Sequence, residues 1–292
     1  MKFSPLLALR FAVILSFLGR AWQHLFLNTV YREFLWDYKL MSPIVEGYFK
    51  MGWSQYLNSA KAEQIINYGE VLGGCIFLGA AIQAAISKGK RSPFLLLFAF
   101  LLLLPIAWMH FLGNAYNSFM LLEFTAQASA PLLLIWALRS KAILTGNTFK
   151  RAIILVLSVT FTCHGLYAVG AFPVPQKFIA MAQSCLGLNE LQSLRFLALM
   201  GYLDFVAVVL LYFTATKKWA ALYMVGWGFI TAYARIWANF YSFDPWNSLW
   251  HWTPDFLFRG PHYLLALCLY LLYPIKKLSG IQLPLAFLRP SA

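Results

Sequence analysis

Eight runs of mostly apolar residues, each about 20 residues long, constrain the fold of this chain more than any other feature. A helix needs about 20 apolar residues to cross the roughly 30 Å hydrocarbon core of a bilayer. Isolated strands would leave backbone groups unpaired in lipid. The sequence therefore predicts an all-α polytopic membrane protein whose eight transmembrane helices cover residues 6–27, 64–86, 93–114, 119–138, 152–172, 196–215, 219–240 and 258–275.

The composition excludes the soluble classes of protein. Hydrophobic residues make up 61% of the 292 residues, and charged residues make up 11%. That charged fraction is less than half of the roughly 25% that soluble domains carry, which excludes a globular cytosolic enzyme and a disordered chain. The net charge of +13 does not indicate nucleic-acid binding, because surplus Lys and Arg in membrane proteins gather in loops on one side of the bilayer. We expect the lipid bilayer, and no nucleic acid, as a partner.

The basic residues are divided unequally between the two sides of the predicted membrane. Fourteen of the 23 fall beside the termini or in the loops after the even-numbered spans, and seven fall in the other loops. The positive-inside rule therefore places both termini in the cytoplasm, and we expect a bacterial cytoplasmic (inner) membrane. Arg10 and Arg20 interrupt the first apolar run, which we interpret as an uncleaved span and not as a signal peptide.

The chain has the pattern of a duplication, with one four-helix unit at 1–145 and a second at 146–292. Tyr68-Gly69-Glu70 resembles Tyr202-Leu203-Asp204, and Asn114-Ala115-Tyr116 resembles Asn239-Phe240-Tyr241. In the same order His110 matches Arg235, and Glu123 matches Asp255. Because each unit has an even number of spans, the two units would run parallel in the membrane.

Ionisable residues inside spans are costly in lipid and are functional candidates by default. With the orientation above, all of them would lie near the extracytoplasmic face, with Glu70, Glu123, Asp204, Arg259 and His262 in the first turns of their helices. The predicted ligand-binding residues are Arg20, His24, Glu70, His110, Asn114 and Glu123 in the first unit, and His164, Asp204, Arg235, Asp255, Arg259 and His262 in the second. Alternatively, these acids and bases neutralise one another and fix the packing of the helices.

Metal and haem sites have little support from the spacing of ligands. His24 and His110 with Glu70 or Glu123 would make a small ligand set, and two histidines on facing helices could ligate haem. However, no His pair is spaced at i, i+4 and no Cys-x-x-Cys-His occurs, so we expect no metal. The chain also has no P-loop, which argues against ATP-driven transport.

Several short motifs resemble those of the DoxX-like family of small four-helix membrane proteins. They are Glu70-Val71-Leu72-Gly73-Gly74, His110-Phe111-Leu112-Gly113-Asn114, Glu123-Phe124 and His164-Gly165. Arg20, Asp204 and Arg235 depart from the family pattern at equivalent places. The resemblance implies two fused four-helix units. It also implies redox association, since the family includes a subunit of a thiosulfate:quinone oxidoreductase and proteins linked to oxidative stress or to maturation of periplasmic dehydrogenases.

These observations together favour a membrane subunit or accessory factor of a quinone-linked redox process. Arg20 or Arg235 would hydrogen-bond a quinone headgroup or a small anion, while Glu70 and His110 would accept or relay protons. Since no site able to carry electrons is evident in the sequence, we expect a redox partner protein and no covalently bound cofactor. Two alternatives stay open: a scaffold or assembly factor whose charge clusters are structural, and a small-solute transporter.

Overall fold

A computed structural model describes residues 4–27, 29–87, 93–113 and 119–273, and the regular elements within these ranges are all helical. In chain order they are α1 (Pro5–Phe26), α2 (Tyr31–Leu35), α3 (Tyr38–Ser42), a π-helical turn (Pro43–Tyr48), α4 (Trp53–Leu57), α5 (Ala60–Ile86), α6 (Phe94–Gly113), α7 (Phe119–Glu123), α8 (Thr125–Arg139), α9 (Lys141–Thr145), α10 (Asn147–Ala168), α11 (Gln176–Leu186), α12 (Glu190–Leu210), α13 (Lys217–Ala238), α14 (Pro245–Leu257) and α15 (Gly260–Leu272).

Among the residues that the structure describes, six helices are long and apolar enough to cross a membrane, which agrees with the prediction of a helical chain with several candidate spans. They are Pro5–Phe26, Ala60–Ile86, Phe94–Gly113, Leu121–Arg139, Asn147–Ala168 and Glu190–Leu210. The seventh and eighth predicted spans correspond to α13 and α15, which are outside this set. Helix α13 has 22 residues, but Arg235 and several aromatic residues lower its mean hydropathy. Helix α15 is apolar but has only 13 residues.

Successive long helices run in opposite directions, which gives the bundle two distinct ends. Residues 29–59, 169–189 and 239–259 gather at one end, which we call the long-loop end. Residues 140–146 and 211–216 lie at the other, the short-loop end. At the short-loop end Arg10, near the start of α1, donates hydrogen bonds to the carbonyls of Ala84 and Ala85, near the end of α5. These bonds satisfy carbonyl groups that have no partner inside their own helix.

The long helices pack in two groups of four that touch along one interface. In the first half of the chain, α1 contacts α5 and α8, and α6 contacts α5 and α8. In the second half, α10 contacts α12 and α15, and α13 contacts α12 and α15. Between the halves, α1 packs on α14 and α15, while α10 packs on α7 and α8. The functional side chains described below therefore lie inside one group or at this interface.

Helix α1 approaches the second half of the chain closely because it has a glycine at the crossing point. A Cβ atom on Gly19 would lie 2.6 Å from the backbone nitrogen of Phe258 and 2.7 Å from the carbonyl oxygen of Pro254. Small residues allow helix backbones to approach in this way. The neighbouring Arg20 is thereby brought to the turn between α14 and α15.

Two helices begin earlier than the sequence predicts, and this changes the depth of two predicted site residues. The side chain of Ser59 caps α5, and the side chain of Asn189 caps α12 in a capping box with Gln192. Glu70 is thus ten residues past the first residue of α5, and Asp204 is fourteen residues past the first residue of α12. At about 1.5 Å per residue these positions are about 15 and 21 Å along their helices, so their predicted placement in the first turn is wrong.

Candidate functional site

The largest group of ionisable side chains lies where the two halves meet at the long-loop end. Arg259, between α14 and α15, has guanidinium nitrogens 3.7 Å from Oε1 of Glu123 and 3.8 Å from Oδ2 of Asp255. Arg259 and Glu123 are both buried. Together with Arg20 we call these four residues the junction cluster. Each half of the chain contributes one acid and one base, so the cluster ties the halves together electrostatically.

Two of the three guanidinium nitrogens of Arg20 in the junction cluster donate to neutral amides, and its Nε is buried without a partner among the described residues. Its NH2 group donates to Oε1 of Gln127 (2.9 Å), and its NH1 group donates to Oε1 of Gln23 (3.1 Å). Gln23 in turn donates to Oδ1 of Asp255 at 3.0 Å. The guanidinium also lies 4.2 Å from the ring centroid of Phe258, in cation–π geometry. A buried charge needs such partners, and these hold Arg20 in one position.

A cavity lies inside the second group of helices, and its volume is about 1000 Å³ when the space through which it opens to its surroundings is included. Its walls are mostly apolar and include Phe161, Phe178, Phe196, Met200, Trp227 and Ile230. Four basic side chains also line it: His164, Arg235, Arg259 and His262. An apolar pocket with a few convergent polar groups is the usual form of a small-molecule site.

His262, one of the residues that line this cavity, has a hydrogen-bond acceptor without a partner among the described residues. Its Nδ1 lies 3.1 Å from the backbone oxygen of Arg259, and a carbonyl oxygen can only accept, so Nδ1 carries the proton. In the neutral ring Nε2 is then an acceptor, and it is buried without a partner among the described residues. The ring of His164 stands beside it, with the centroids 5.4 Å apart. The pair can therefore accept a hydrogen bond from a ligand or hold a proton for one.

Two arginines supply hydrogen-bond donors next to these histidines. Arg235, at the end of α13, donates from NH1 to the backbone oxygen of Thr231. Its remaining N–H groups belong to a side chain that lines the cavity. Nε of Arg259 is buried and has no hydrogen-bond partner within the described part of the chain. The site thus combines guanidinium donors with an imidazole acceptor at one position.

A second cavity, with an empty volume of about 510 Å³, adjoins the first at the long-loop end. It shares Arg235 and Arg259 with the first cavity and adds Lys177, Asn239 and Asp255. Lys177 lies on α11, outside the candidate spans. Desolvation lowers the pKa of Lys177 from its ordinary value, and the positive charge of Arg259 lowers it further. We call this cavity the vestibule, because it shares basic lining residues with the main cavity and lies at the long-loop end.

Glu70 belongs to a separate group that we call the loop latch: Thr29, Arg32, Glu63, Asn67 and Glu70. NH1 of Arg32 donates to Oε1 of Glu70 at 2.8 Å, and the hydroxyl of Thr29 donates to the same oxygen at 2.7 Å. NH2 of Arg32 donates to Glu63 and Asn67. The hydrogen bond that Arg32 donates to Glu63 contributes most to raising the pKa of Arg32 above its ordinary value. These contacts fasten the long first loop onto α5.

His24 is held by the same loop. Its Nε2 lies 2.9 Å from the hydroxyl of Tyr31, and its Nδ1 lies 2.7 Å from the backbone oxygen of Arg20. By the same argument as for His262, Nδ1 donates a hydrogen bond and Nε2 accepts one from the hydroxyl of Tyr31. Burial raises the pKa of Tyr31 to about 12, with a smaller contribution from Glu70, so its hydroxyl remains a donor at neutral pH. Both ring nitrogens of His24 are therefore occupied.

Asp204 also lines the main cavity, but nearer the short-loop end than the basic side chains. The hydroxyl of Tyr223 donates to Oδ1 of Asp204 at 3.0 Å. Asp204 is 3% exposed, and no Lys, Arg or His lies within ion-pair distance of it among the described residues. The mostly apolar cavity therefore has two polar places, one at the basic side chains and one at Asp204.

The twelve predicted site residues divide into groups that differ from the two predicted clusters. Arg20, Glu123, Asp255 and Arg259 meet across the halves, and His110 lies close by with its ring 5.3 Å from that of Phe124. His164, Arg235, Arg259 and His262 line the cavity, His24 and Glu70 contact the first loop, and Asp204 lies apart. Asn114 is outside the described residues.

Sequence reasoning did not identify several partners of these residues as site residues. They are Gln23, Tyr31, Arg32, Gln127, Lys177 and Tyr223. Four of them are uncharged, and the two charged ones lie outside the apolar runs. Arg32 could have been identified only by searching the loops for basic residues that could pair with acidic residues nearby.

No group of three or more His, Cys, Asp or Glu side chains is arranged to hold a metal ion in the part of the chain that the structure describes. In comparisons with known proteins, no family model, no curated protein and no solved structure matches this chain.

Proposed function

We propose that the protein is a membrane subunit or accessory factor of a quinone-linked redox process, and that it binds the quinone in the cavity of the second half. The observation that carries the proposal is the apolar cavity with Arg235, Arg259, His164 and His262 at one position. A quinone has the matching form, a headgroup with two carbonyl oxygens on an apolar tail.

The donors and acceptors of the site suit both redox forms of such a ligand. The carbonyl oxygens of a quinone accept hydrogen bonds, for which Arg235 and Arg259 offer N–H groups. The hydroxyls of a quinol donate, for which Nε2 of His262 offers an acceptor. Reduction of a quinone takes two electrons and two protons. In this proposal His262, at Nε2, and His164 each accept one proton when a quinol is oxidised and return it when a quinone is reduced, and a redox partner protein removes or supplies the two electrons.

The proposal includes a duplicated architecture with eight spans, in the manner of two fused DoxX-like units. The packing supports it, because α1, α5, α6 and α8 have the same neighbour relations as α10, α12, α13 and α15. The contacts between the halves also correspond, since α1 packs on α15 as α10 packs on α8. With cytoplasmic termini, the quinone headgroup would lie towards the extracytoplasmic side of a bacterial inner membrane.

The two halves would then have different roles. At the place of His164 the first half has Arg20, whose two terminal guanidinium nitrogens donate to amides, and Nε2 of the neighbouring His24 accepts from Tyr31. Phe77 is fully buried against His24, with ring centroids 5.1 Å apart. These contacts favour a scaffold role for the first half. The same contacts support the alternative function, a scaffold or assembly factor in which the charged side chains of the first half fix the packing of the helices.

Mass spectrometry of an organic extract from the protein purified in mild detergent tests the proposal. We expect near-stoichiometric quinone in the wild type and in Arg195→Gln, which removes an exposed arginine elsewhere on α12. Arg235→Gln should lose the quinone because it removes a headgroup donor. Met200→Trp should lose it by filling the apolar part of the cavity.

Size-exclusion profiles of the variants establish that each one is folded before its extract is analysed. Quinone retained at wild-type levels in folded Arg235→Gln and Met200→Trp would refute the site. An extract of wild-type protein that contains only bulk phospholipid would refute the quinone and favour the scaffold or the transporter alternative.

A further inference from the structure

Three lysines converge on the end of α15 at the short-loop end of the bundle. The Nζ atoms of Lys150 and Lys217 each lie 5.1 Å from the ring centroid of Tyr273, and Nζ of Lys218 lies 4.7 Å from that of Tyr270. The lysines come from the first turns of α10 and α13, and the tyrosines come from the end of α15 and the residue after it. Like charges are thus held close together on a small surface.

No acidic side chain balances this charge. The ten Asp and Glu residues of the chain are Glu33, Asp37, Glu46, Glu63, Glu70, Glu123, Glu190, Asp204, Asp244 and Asp255. Nine of them lie in the loops of the long-loop end or in helix segments that begin or end there. The remaining one, Asp204, is buried inside the bundle. A converging set of ammonium groups without a counter-ion favours an anion that comes from outside the chain.

The two helices that carry the lysines also lack side-chain caps. Neither Gly146 at the start of α10 nor Thr216 at the start of α13 provides a side-chain hydrogen bond to its helix. The hydroxyl of Thr216 donates instead to the backbone oxygen of Leu210 at 2.8 Å. By contrast, α1 and α12 are capped by Ser4 and Asn189. Both uncapped N-termini add positive potential at the place where the lysines converge.

We propose that Lys150, Lys217 and Lys218 form a binding seat for the headgroup of an anionic phospholipid. The acyl chains would run along the surface of α13 on which Trp219 and Leu222 are exposed, and this placement rests on α13 being one of the eight proposed spans. Leu222 is four residues after Lys218, so both lie on one face of the helix. Basic pockets between transmembrane helices bind anionic headgroups in this way. The seat is separate from the cavity of the second half and does not rest on the quinone proposal.

The competing explanation is that the lysines only neutralise the carbonyl groups at the end of α15. Native mass spectrometry of the whole protein, titrated with phosphatidylglycerol or phosphatidylcholine, separates the two. We expect phosphatidylglycerol to bind the wild type more tightly than phosphatidylcholine. In the triple variant Lys150→Gln, Lys217→Gln, Lys218→Gln, the affinity for phosphatidylglycerol should fall roughly 100-fold, from about 1 kcal/mol per lysine.

Two control variants complete the experiment. The triple variant Lys39→Gln, Lys50→Gln, Lys61→Gln removes the same charge from exposed positions at the long-loop end and should bind as the wild type does. Replacement of Lys150, Lys217 and Lys218 by Arg keeps the charge and should retain most of the binding. Unchanged phosphatidylglycerol binding in the Gln variant at the seat would overturn the proposal. Equal binding of phosphatidylcholine, or displacement of the lipid by equimolar inorganic phosphate, would also overturn it.

Discussion

Replacing Glu70 by Gln should destabilise the protein far more than replacing Glu63 by Gln, although both carboxylates accept hydrogen bonds from the same guanidinium. Oε1 of Glu70 accepts from NH1 of Arg32 at 2.8 Å, and Oε1 of Glu63 accepts from NH2 at 2.5 Å. The glutamates differ in burial, since the Glu70 side chain is 9% exposed and the Glu63 side chain is 44% exposed.

The magnitudes follow from that difference in exposure. Hydrogen bonds to charged groups contribute about 1.5–3 kcal/mol, and Glu70 also accepts from the hydroxyl of Thr29. We therefore expect Glu70→Gln to cost about 2–3 kcal/mol. An exposed ion pair contributes at most about 1 kcal/mol, which limits the cost of Glu63→Gln. The resulting difference of about 1 kcal/mol or more corresponds to at least roughly a fivefold difference in the unfolding equilibrium constant.

Equilibrium unfolding in mixed micelles, followed by tryptophan fluorescence, measures both free energies. Raising the salt concentration should reduce the small effect of Glu63→Gln and leave most of the effect of Glu70→Gln, because buried pairs are screened less. The quinone content of folded Glu70→Gln protein should equal that of the wild type. Equal costs for the two variants, or a larger cost for Glu63→Gln, would refute the reasoning from burial.

Three further predictions follow from single contacts. Gly19→Ala should lower the free energy of unfolding by about 1–3 kcal/mol because its Cβ would meet backbone atoms. Gly226→Ala, whose Cβ would have no atom within 4 Å, should not lower it, and thermal unfolding compares the two variants. Tyr31→Phe should cost about 1 kcal/mol at pH 7 by removing the bond to His24. Since the pKa of Tyr31 is raised to about 12, the wild type should lose its extra stability over Tyr31→Phe only as the pH rises above about 10. Equal stabilities of the two proteins at pH 8 would contradict this prediction. Lys177, with its lowered pKa, should react with an amine-acetylating reagent at pH 8 faster than the exposed Lys39, as measured by peptide mass spectrometry, and a slower reaction would count against it.

The helical membrane architecture could be predicted because apolar runs of about 20 residues have few other solutions. The concentration of buried ionisable residues towards one end was also predictable, as Arg20, Arg235 and His262 illustrate. Which acidic residue pairs with which basic residue could not be predicted. Arg259, at the start of α15, meets Glu123, just before α8, because α8 and α15 pack together at the interface of the halves, and apolar runs carry little information about which helices become neighbours.

The depth of Asp204 shows a second limit. Its position depends on where α12 begins, and that is set by the capping side chain of Asn189, seven residues before the first residue of the predicted run 196–215. The partners of Arg20 show a third limit, since Gln23 and Gln127 are uncharged and carry no signal in a search for ion pairs. Uncharged amides can satisfy a buried arginine as hydrogen-bond acceptors, and only the packed structure reveals that they do so.

The central claim is that the cavity of the second half, and not the first half, holds a quinone headgroup. Photolabelling of the purified protein with an azidoquinone, followed by peptide mass spectrometry, tests it most directly. We expect labelled peptides from α12 and α13 around Met200 and Trp227, at one site per chain, and we expect an excess of unlabelled quinone to suppress them. Labelling centred on α5 and α6, or spread evenly over the lipid-facing helices, would contradict the account.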